Sequence, residues 1–255
     1  MKGLNFGRYY AIIIGNQNYQ QLDSLQTPRS DAERAGKLLN EKYGFTVQLV
    51  EDASDVAMLR ALNDLSKVLK ENDNVLIYYA GHGTRLQTAQ SETGYWLPVN
   101  AEKPPDDTFW VPNEQISAHL GRLKAKRVLV VADSCYAGLL SSDPGVNVFG
   151  TETQGSIDYL KYKLPKRSRL LVSSGGDAPV LDAGGQGNSV FARAFLDVLE
   201  ANDNVLSSPA LFARLQERVR LAAARSNFKQ VPEFKSIKSA GHEVGDFFFV
   251  PRRIG

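Results

Sequence analysis

The chain has 255 residues, 43% of them hydrophobic and 23% charged, a globular composition that excludes disordered, collagen-like and coiled-coil readings. Its 30 Lys and Arg against 28 Asp and Glu leave a formal charge of +2, far from the basic excess of a dedicated nucleic-acid binder. No apolar run approaches the ~20 residues that span a bilayer, and the opening MKGLNFGRYY lacks a secretory core, so a soluble domain without nucleic-acid or membrane partners is expected.

Tyr9 to Ile14 reads as a buried strand that stops at Gly15-Asn16. Ser30 to Tyr43 reads as a helix with Ala32, Ala35, Leu38 and Leu39 on one face and Gly44 just past its end. Thr46 to Glu51 alternates as a strand, and Val56 to Lys70 is a helix burying Leu59, Leu62, Leu65 and Leu69. Asn74 to Ala80 is a third strand, followed by a loop-rich section over 81–112. A short helix, Asn113 to Leu123, leads into a fourth strand, Arg127 to Ala132, and then an irregular stretch over 139–167. Arg169 to Ser173 is a fifth strand, Ser189 to Glu200 and Pro209 to Ser226 are helices, and Asp246 to Val250 is a last strand.

This βαβα rhythm predicts one α/β domain around a mostly parallel six-stranded sheet flanked by helices. Two long loops, 81–112 and 139–167, each start beside the carboxyl end of a strand, where open α/β sheets build their sites. Cys135 is the one cysteine, which excludes an intramolecular disulfide and fits a reducing, cytoplasmic setting. A lone cysteine is by default a small buried hydrophobe, so only its surroundings can promote it to a nucleophile.

Those surroundings are suggestive. One strand ends in Gly81-His82-Gly83 and the next buried one in Asp133-Ser134-Cys135-Tyr136-Ala137-Gly138. By itself the first is a turn with a solvated histidine, and the second a polar strand end with a half-buried thiol. Together, on neighbouring parallel strands, they would present an imidazole and a thiol on one sheet edge, as a cysteine nucleophile and its partner require. His82 precedes Cys135 by 53 residues, close to the ~50 of the caspase pattern. His119, within a helical stretch, and His242, beside the last strand, lack this context.

The chain resembles the caspase and metacaspase group of cysteine peptidases, specifically bacterial caspase-family domains. The resembling segments are YYAIIIGNQNY (9–19), YYAGHG (78–83), GYWLPV (94–99), VLVVADSCYAG (128–138), SSGGDAPVLD (173–182), NSVFARAFLDVLE (188–200) and AGHEVGDFFFVP (240–251). The resemblance implies a caspase-like fold with a large-subunit-like part over about 1–140, a linker over 139–167 and a small-subunit-like part over about 168–255. It implies a dyad of His82 and Cys135, an oxyanion hole from the N–H groups of Gly83 and Cys135, and protein or peptide substrates. Asp133 stands where true caspases carry a Gln of their aspartate-binding pocket; metacaspases have Asp there and a second Asp after the first strand, matched here by Asp31. With Ser173 and Ser174 these are the substrate-binding candidates. Two converging carboxylates favour a guanidinium or ammonium, so cleavage after Arg or Lys is expected. An Asp in a first helical turn also stabilises the helix dipole, an equal claim on Asp31. Ala80 departs from the Ser that many metacaspases carry before Gly-His.

The basic residues Lys161, Lys163, Lys166, Arg167 and Arg169 make self-cleavage near the linker an expectation, with a solvated basic loop as the alternative. No cofactor is expected; calcium held by Asp106, Asp107 and Asp143 is an alternative without an EF-hand spacing, set against loop acids that are simply solvated. The FFFV segment raises pairing of two copies through an edge strand. Regulatory modules in a longer parent chain are a further expectation. Three functions compete: the peptidase, in which cleavage after Asp is a variant, a non-catalytic caspase-like binding domain, and a phosphate-binding α/β domain. The last ranks lowest, because neither Gly81-His82-Gly83 nor Ser173-Ser174-Gly175-Gly176-Asp177 forms a P-loop or a dinucleotide fingerprint.

Overall fold

Alternate residues of strand β1 (Tyr9–Gly15) face opposite ways, Ala11 and Ile13 into one apolar layer and Ile12 and Ile14 into another. The sheet it belongs to is therefore buried on both sides, as continuous apolar strands require. The computed structural model describes residues 3–141, 156–175, 187–225 and 230–252.

After β1 come α1 (Pro28–Tyr43), β2 (Thr46–Glu51), α2 (Asp55–Val68) and β3 (Asn74–Ala80). The region read as loop then holds β4 (Gly83–Gln87), β5 (Glu92–Trp96) and β6 (Val111–Pro112), a small antiparallel sheet of its own. Next are α3 (Asn113–Arg122), β7 (Arg127–Asp133), a 3-10 turn at Ala137–Leu140, α4 (Ile157–Lys163) and β8 (Ser168–Ser173). The chain continues through α5 (Val190–Glu200), β9 (Leu206–Ser207), α6 (Ser208–Arg225), β10 (Glu233–Ser236) and β11 (Phe248–Phe249). Local signals set the helix limits. Gly44 takes φ 76° as the left-handed cap of α1, and Ser54, Ser156 and Ser189 each accept a backbone N–H at the starts of α2, α4 and α5.

The main sheet has the order β10-β8-β7-β3-β1-β2, parallel throughout except for β10, which pairs antiparallel with β8. Helices α1, α5 and α6 cover one face through residues such as Leu39, Phe195 and Leu215. Helices α2 and α3 cover the other through Met58, Leu62, Ile116 and Leu120. Six strands are thus present, but the sixth differs from expectation. It is Glu233–Ser236, whereas Phe248–Phe249 pairs with β9 in a separate two-stranded ribbon. Phe247, Phe248 and Phe249 are fully buried within the chain, so the FFFV segment presents no edge to a second copy.

At the amino ends of the strands two arginines are buried as struts. The Arg169 guanidinium donates to the carbonyls of Leu120, Leu123, Ala125, Lys126 and Ser168, and that of Arg127 to Phe6, Asn72 and Leu164. Each fork satisfies several loop carbonyls at once. Stability is built at this end of the sheet, which leaves the carboxyl ends open for chemistry.

Candidate active site

Strands β3 and β7 are adjacent and flush, with Ala80 opposite Asp133 in their register. His82 and Cys135 each lie two residues beyond that last pair, so the topology brings them to one edge. Gly83 keeps the gap narrow: a Cβ there would fall 2.2 Å from the Cys135 carbonyl oxygen and 2.3 Å from Ser134 Oγ.

Three contacts fix the backbone of His82. Its N–H donates to the Tyr19 hydroxyl at 2.7 Å, and its carbonyl accepts the Tyr79 hydroxyl at 2.6 Å and the Leu97 N–H at 3.0 Å. The Tyr79 ring is itself clamped, stacked on Trp96 with centroids 4.3 Å apart. The imidazole leans on the Tyr19 ring, and its Nε2 lies 2.8 Å from the Asp23 carbonyl oxygen. A carbonyl only accepts, so Nε2 carries the proton in neutral His82 and Nδ1 is left as the acceptor.

Cys135 is half-buried on the opposite side. The loop that presents it is held by the Ser134 N–H, which donates to Ser174 Oγ at 3.1 Å, and Tyr136 follows in a left-handed conformation with φ 58°. A non-glycine residue in that region stores strain and is over-represented at functional sites.

A cavity of about 160 Å³ opens beside the pair, lined by His82, Cys135, Asp31, Asp133, Ser189 and Thr27 among others. Asp31 on α1 and Asp133 at the end of β7 form its acidic part, 1% and 7% exposed respectively. The Asp31 carboxylate accepts from the side-chain amide of Asn188 and from the Ser189 N–H, and Asp133 accepts from the Ser189 hydroxyl. Below them lies the Tyr78 phenol, pushed well above its ordinary range by burial and then by the charges of Asp31 and Asp133. Asp31 thus belongs to the cavity as well as to the first turn of α1.

The family model for the caspase domain matches residues 8–240. The chain belongs to the caspase family. Among curated proteins this caspase domain is 29% identical to metacaspase-7 of Arabidopsis thaliana over 144 residues, half of this chain and 34% of that one. It is 24% identical to metacaspase-1 of Kluyveromyces lactis over 224 residues, 78% of this chain and 48% of that one. It spans less than half the length of either. The crystal structure of protein GSU0716 from Geobacter sulfurreducens superposes with a TM-score of 0.63 at 19% identity, covering 91% of this chain and 94% of that one, a likeness of fold.

The remaining expected residues fall in different places. Ser173 and Ser174 are fully buried behind the loop that carries Cys135, where Ser174 braces Ser134, and neither lines the cavity. His119 contacts Arg122 and His242 accepts the Arg169 N–H through Nδ1, both away from the cavity. Asp106 and Asp107 are exposed, while Asp143 lies outside the described residues, as do 176–182 of the SSGGDAPVLD segment. Among the described residues no group of three His, Cys, Asp or Glu side chains could hold a metal ion. The basic stretch is not a simple solvated loop. Lys161 and Lys163 sit on α4 and Arg169 is a buried strut, so Arg169 is closed to cleavage in the folded domain. No helix among the described residues is long and apolar enough to cross a membrane.

Tyr19, Tyr79, Asn188 and Ser189 were not singled out from the sequence. Their contacts to the site span 63, 3, 157 and 56 residues, and only the three-residue step from Tyr79 to His82 was within reach of local reading.

Proposed function

We propose that this caspase domain is a cysteine endopeptidase that cleaves protein or peptide chains after Arg or Lys. The observation that carries the reading is one cavity lined by His82, Cys135 and two buried carboxylates, Asp31 and Asp133. A thiol beside an imidazole is the group pair of covalent acyl transfer. A planar guanidinium matches a pair of carboxylates better than any other side chain does.

In this reaction Cys135 gives its thiol proton to His82 Nδ1, and the thiolate Sγ attacks the scissile carbonyl carbon. The carbonyl electron pair moves to oxygen, and the N–H groups of Gly83 and Cys135 stabilise that charge, which the planar carbonyl of the substrate lacks. Collapse breaks the C–N bond as the imidazolium of His82 returns its proton to the leaving amine. Water, deprotonated by His82 Nδ1, then attacks the thioester carbon to give a second oxyanion. Its collapse breaks the C–S bond and releases the product acid, and the imidazolium of His82 returns its proton to the Cys135 thiolate. The Asp23 carbonyl holds Nε2–H throughout, the orienting role that a third group plays in such sites. A pocket that reads an aspartate side chain would need cations where Asp31 and Asp133 stand, which disfavours cleavage after Asp.

The test is a fluorogenic peptide panel differing only in the residue before the scissile bond, Arg, Lys, Asp or Leu, run beside Cys135→Ala. Cleavage after Arg and Lys that disappears in the variant is the expected result. Cleavage after Asp, or activity that survives in Cys135→Ala, contradicts it.

A further inference from the structure

The two acids of the cavity come from different elements, and a single dipeptide ties them together. Ser189 is the N-cap of α5, its Oγ accepting the Ala192 N–H at 2.9 Å. The same hydroxyl donates to Asp133 Oδ2, and the Ser189 backbone N–H donates to Asp31 Oδ2 at 3.2 Å. Asn188 donates its amide to Asp31 Oδ1 and accepts a hydrogen bond from Arg34 Nη1. Asn188 and Ser189 are 0% and 2% exposed, and their bonds to Asp31, Asp133 and Ala192 are all buried.

Two carboxylates at one cavity wall repel each other and are each penalised by burial. Three donors from residues 188–189, with the positive end of the α5 dipole behind them, oppose both effects. A carboxylate oxygen has two lone-pair sites, so accepting one such bond does not by itself exhaust it. The bonds from residues 188–189 hold both carboxylates in place at the cavity wall.

We propose that Asn188 and Ser189 are positioning residues of the specificity pocket, holding Asp31 and Asp133 converged so that a guanidinium finds both at once. This rests on the cleavage after Arg or Lys proposed above. Among the described residues, Tyr78 from β3 and His82 and Cys135 from the strand-end loops also face the acids, and Arg34 from α1 reaches Asn188. Because Ser189 also caps a helix, its role in the pocket must be separated from its role in stability. Ser54 makes the separation possible, since it caps α2 through the Ala57 N–H and has no part in the cavity.

The experiment measures KM and kcat with a peptidyl-arginine fluorogenic substrate, the inhibition constant of agmatine, and the melting temperature. It compares wild type, Ser189→Ala, Asn188→Ala and Ser54→Ala. Ser189→Ala is expected to raise KM and the agmatine constant about tenfold, the size of one lost hydrogen bond to a charged group, with kcat within about twofold. Asn188→Ala, whose α5 cap is intact, is expected to move both constants the same way. Ser54→Ala should lower the melting temperature while KM and the agmatine constant stay at the wild-type value. Wild type that binds agmatine, with Ser189→Ala and Asn188→Ala equal to it, overturns the inference alone. Wild type that neither binds agmatine nor cuts after Arg overturns the cleavage reading, and this inference with it.

Discussion

Gly83→Ala is the smallest change that should disable the site. The added methyl would stand 2.2 Å from the Cys135 carbonyl oxygen and 2.3 Å from Ser134 Oγ, where ordinary contact begins at 3.4 Å. The two loops must therefore part by about 1 Å, and neither can yield cheaply. The backbone of His82 is held by Tyr19, Tyr79 and Leu97, and that of Ser134 by Ser174. The displacement consequently falls on the gap between imidazole and thiol. A misplacement of about 1 Å can cost on the order of 10²-fold in rate, so kcat/KM for an arginine peptide should fall by about that factor. Overpacking should cost about 1–3 kcal/mol. At about 2–4 °C per kcal/mol for a domain of this size, the melting temperature should fall measurably. Gly121→Ala is the control. Its methyl would meet Ala240 Cα at 3.6 Å inside α3, an ordinary contact, so it should gain ~0.4–1 kcal/mol with activity unchanged. Steady-state kinetics and a thermal melt on the three proteins decide the matter. A Gly83→Ala enzyme with wild-type kcat/KM refutes the reasoning.

Asp133→Asn should lower kcat/KM for arginine peptides by about 10–10²-fold, the range for a lost hydrogen bond to a charge, and leave the melting temperature nearly unchanged; equal rates for both proteins count against the pocket. Burial pushes the Asp246 carboxyl up to about 6 although Ser208, Phe247 and Tyr159 donate to it. The folded protein therefore keeps this proton to higher pH than the unfolded chain does. The contribution is fully present below the unfolded value of 3.8 and is lost as pH rises through about 6, at most about 3 kcal/mol at ~1.36 kcal/mol per unit. Denaturant melts between pH 4 and 7 should show this fall in wild type relative to Asp246→Asn, and parallel curves would rule it out. Arg169→Lys should destabilise by at least ~3 kcal/mol, because an ammonium cannot serve the five carbonyls that the guanidinium reaches; a melting temperature within a degree or two of wild type would show that the fork is dispensable.

The parts of the fold legible in the sequence are those whose local pattern has one solution. The continuous apolar runs at Tyr9–Gly15, Asn74–Ala80 and Arg127–Asp133 can only be buried strands of a parallel sheet, and Gly44 can only end a helix. His82 and Cys135 stand out because each follows such a run directly, His82 between two glycines. Where strand partners decide, local pattern was insufficient. Glu233–Ser236 has one large apolar residue, Phe234, and joins the sheet because β8 offers an edge, while the far more apolar FFFV finds its partner in β9. The β4–β5 hairpin is polar along most of its length and reads as loop until Gly83 is seen opposite Trp96. Arg169 reads as one charge in a basic run, and only the convergence of four distant carbonyls, with that of Ser168, shows it to be a strut. Pro28 at the start of α1 was a readable signal for a helix beginning two residues earlier than Ser30.

The most direct test of the account is covalent. The protein is incubated with an arginine-ended and an aspartate-ended peptidyl acyloxymethyl ketone, and the mass of the intact chain and of its tryptic peptides is measured. One adduct on Cys135 from the arginine probe, slowed in both His82→Ala and Asp133→Asn, with the aspartate probe inert, is the predicted result. An adduct formed equally by both probes, or no adduct on Cys135, would contradict a thiol nucleophile served by an acidic pocket.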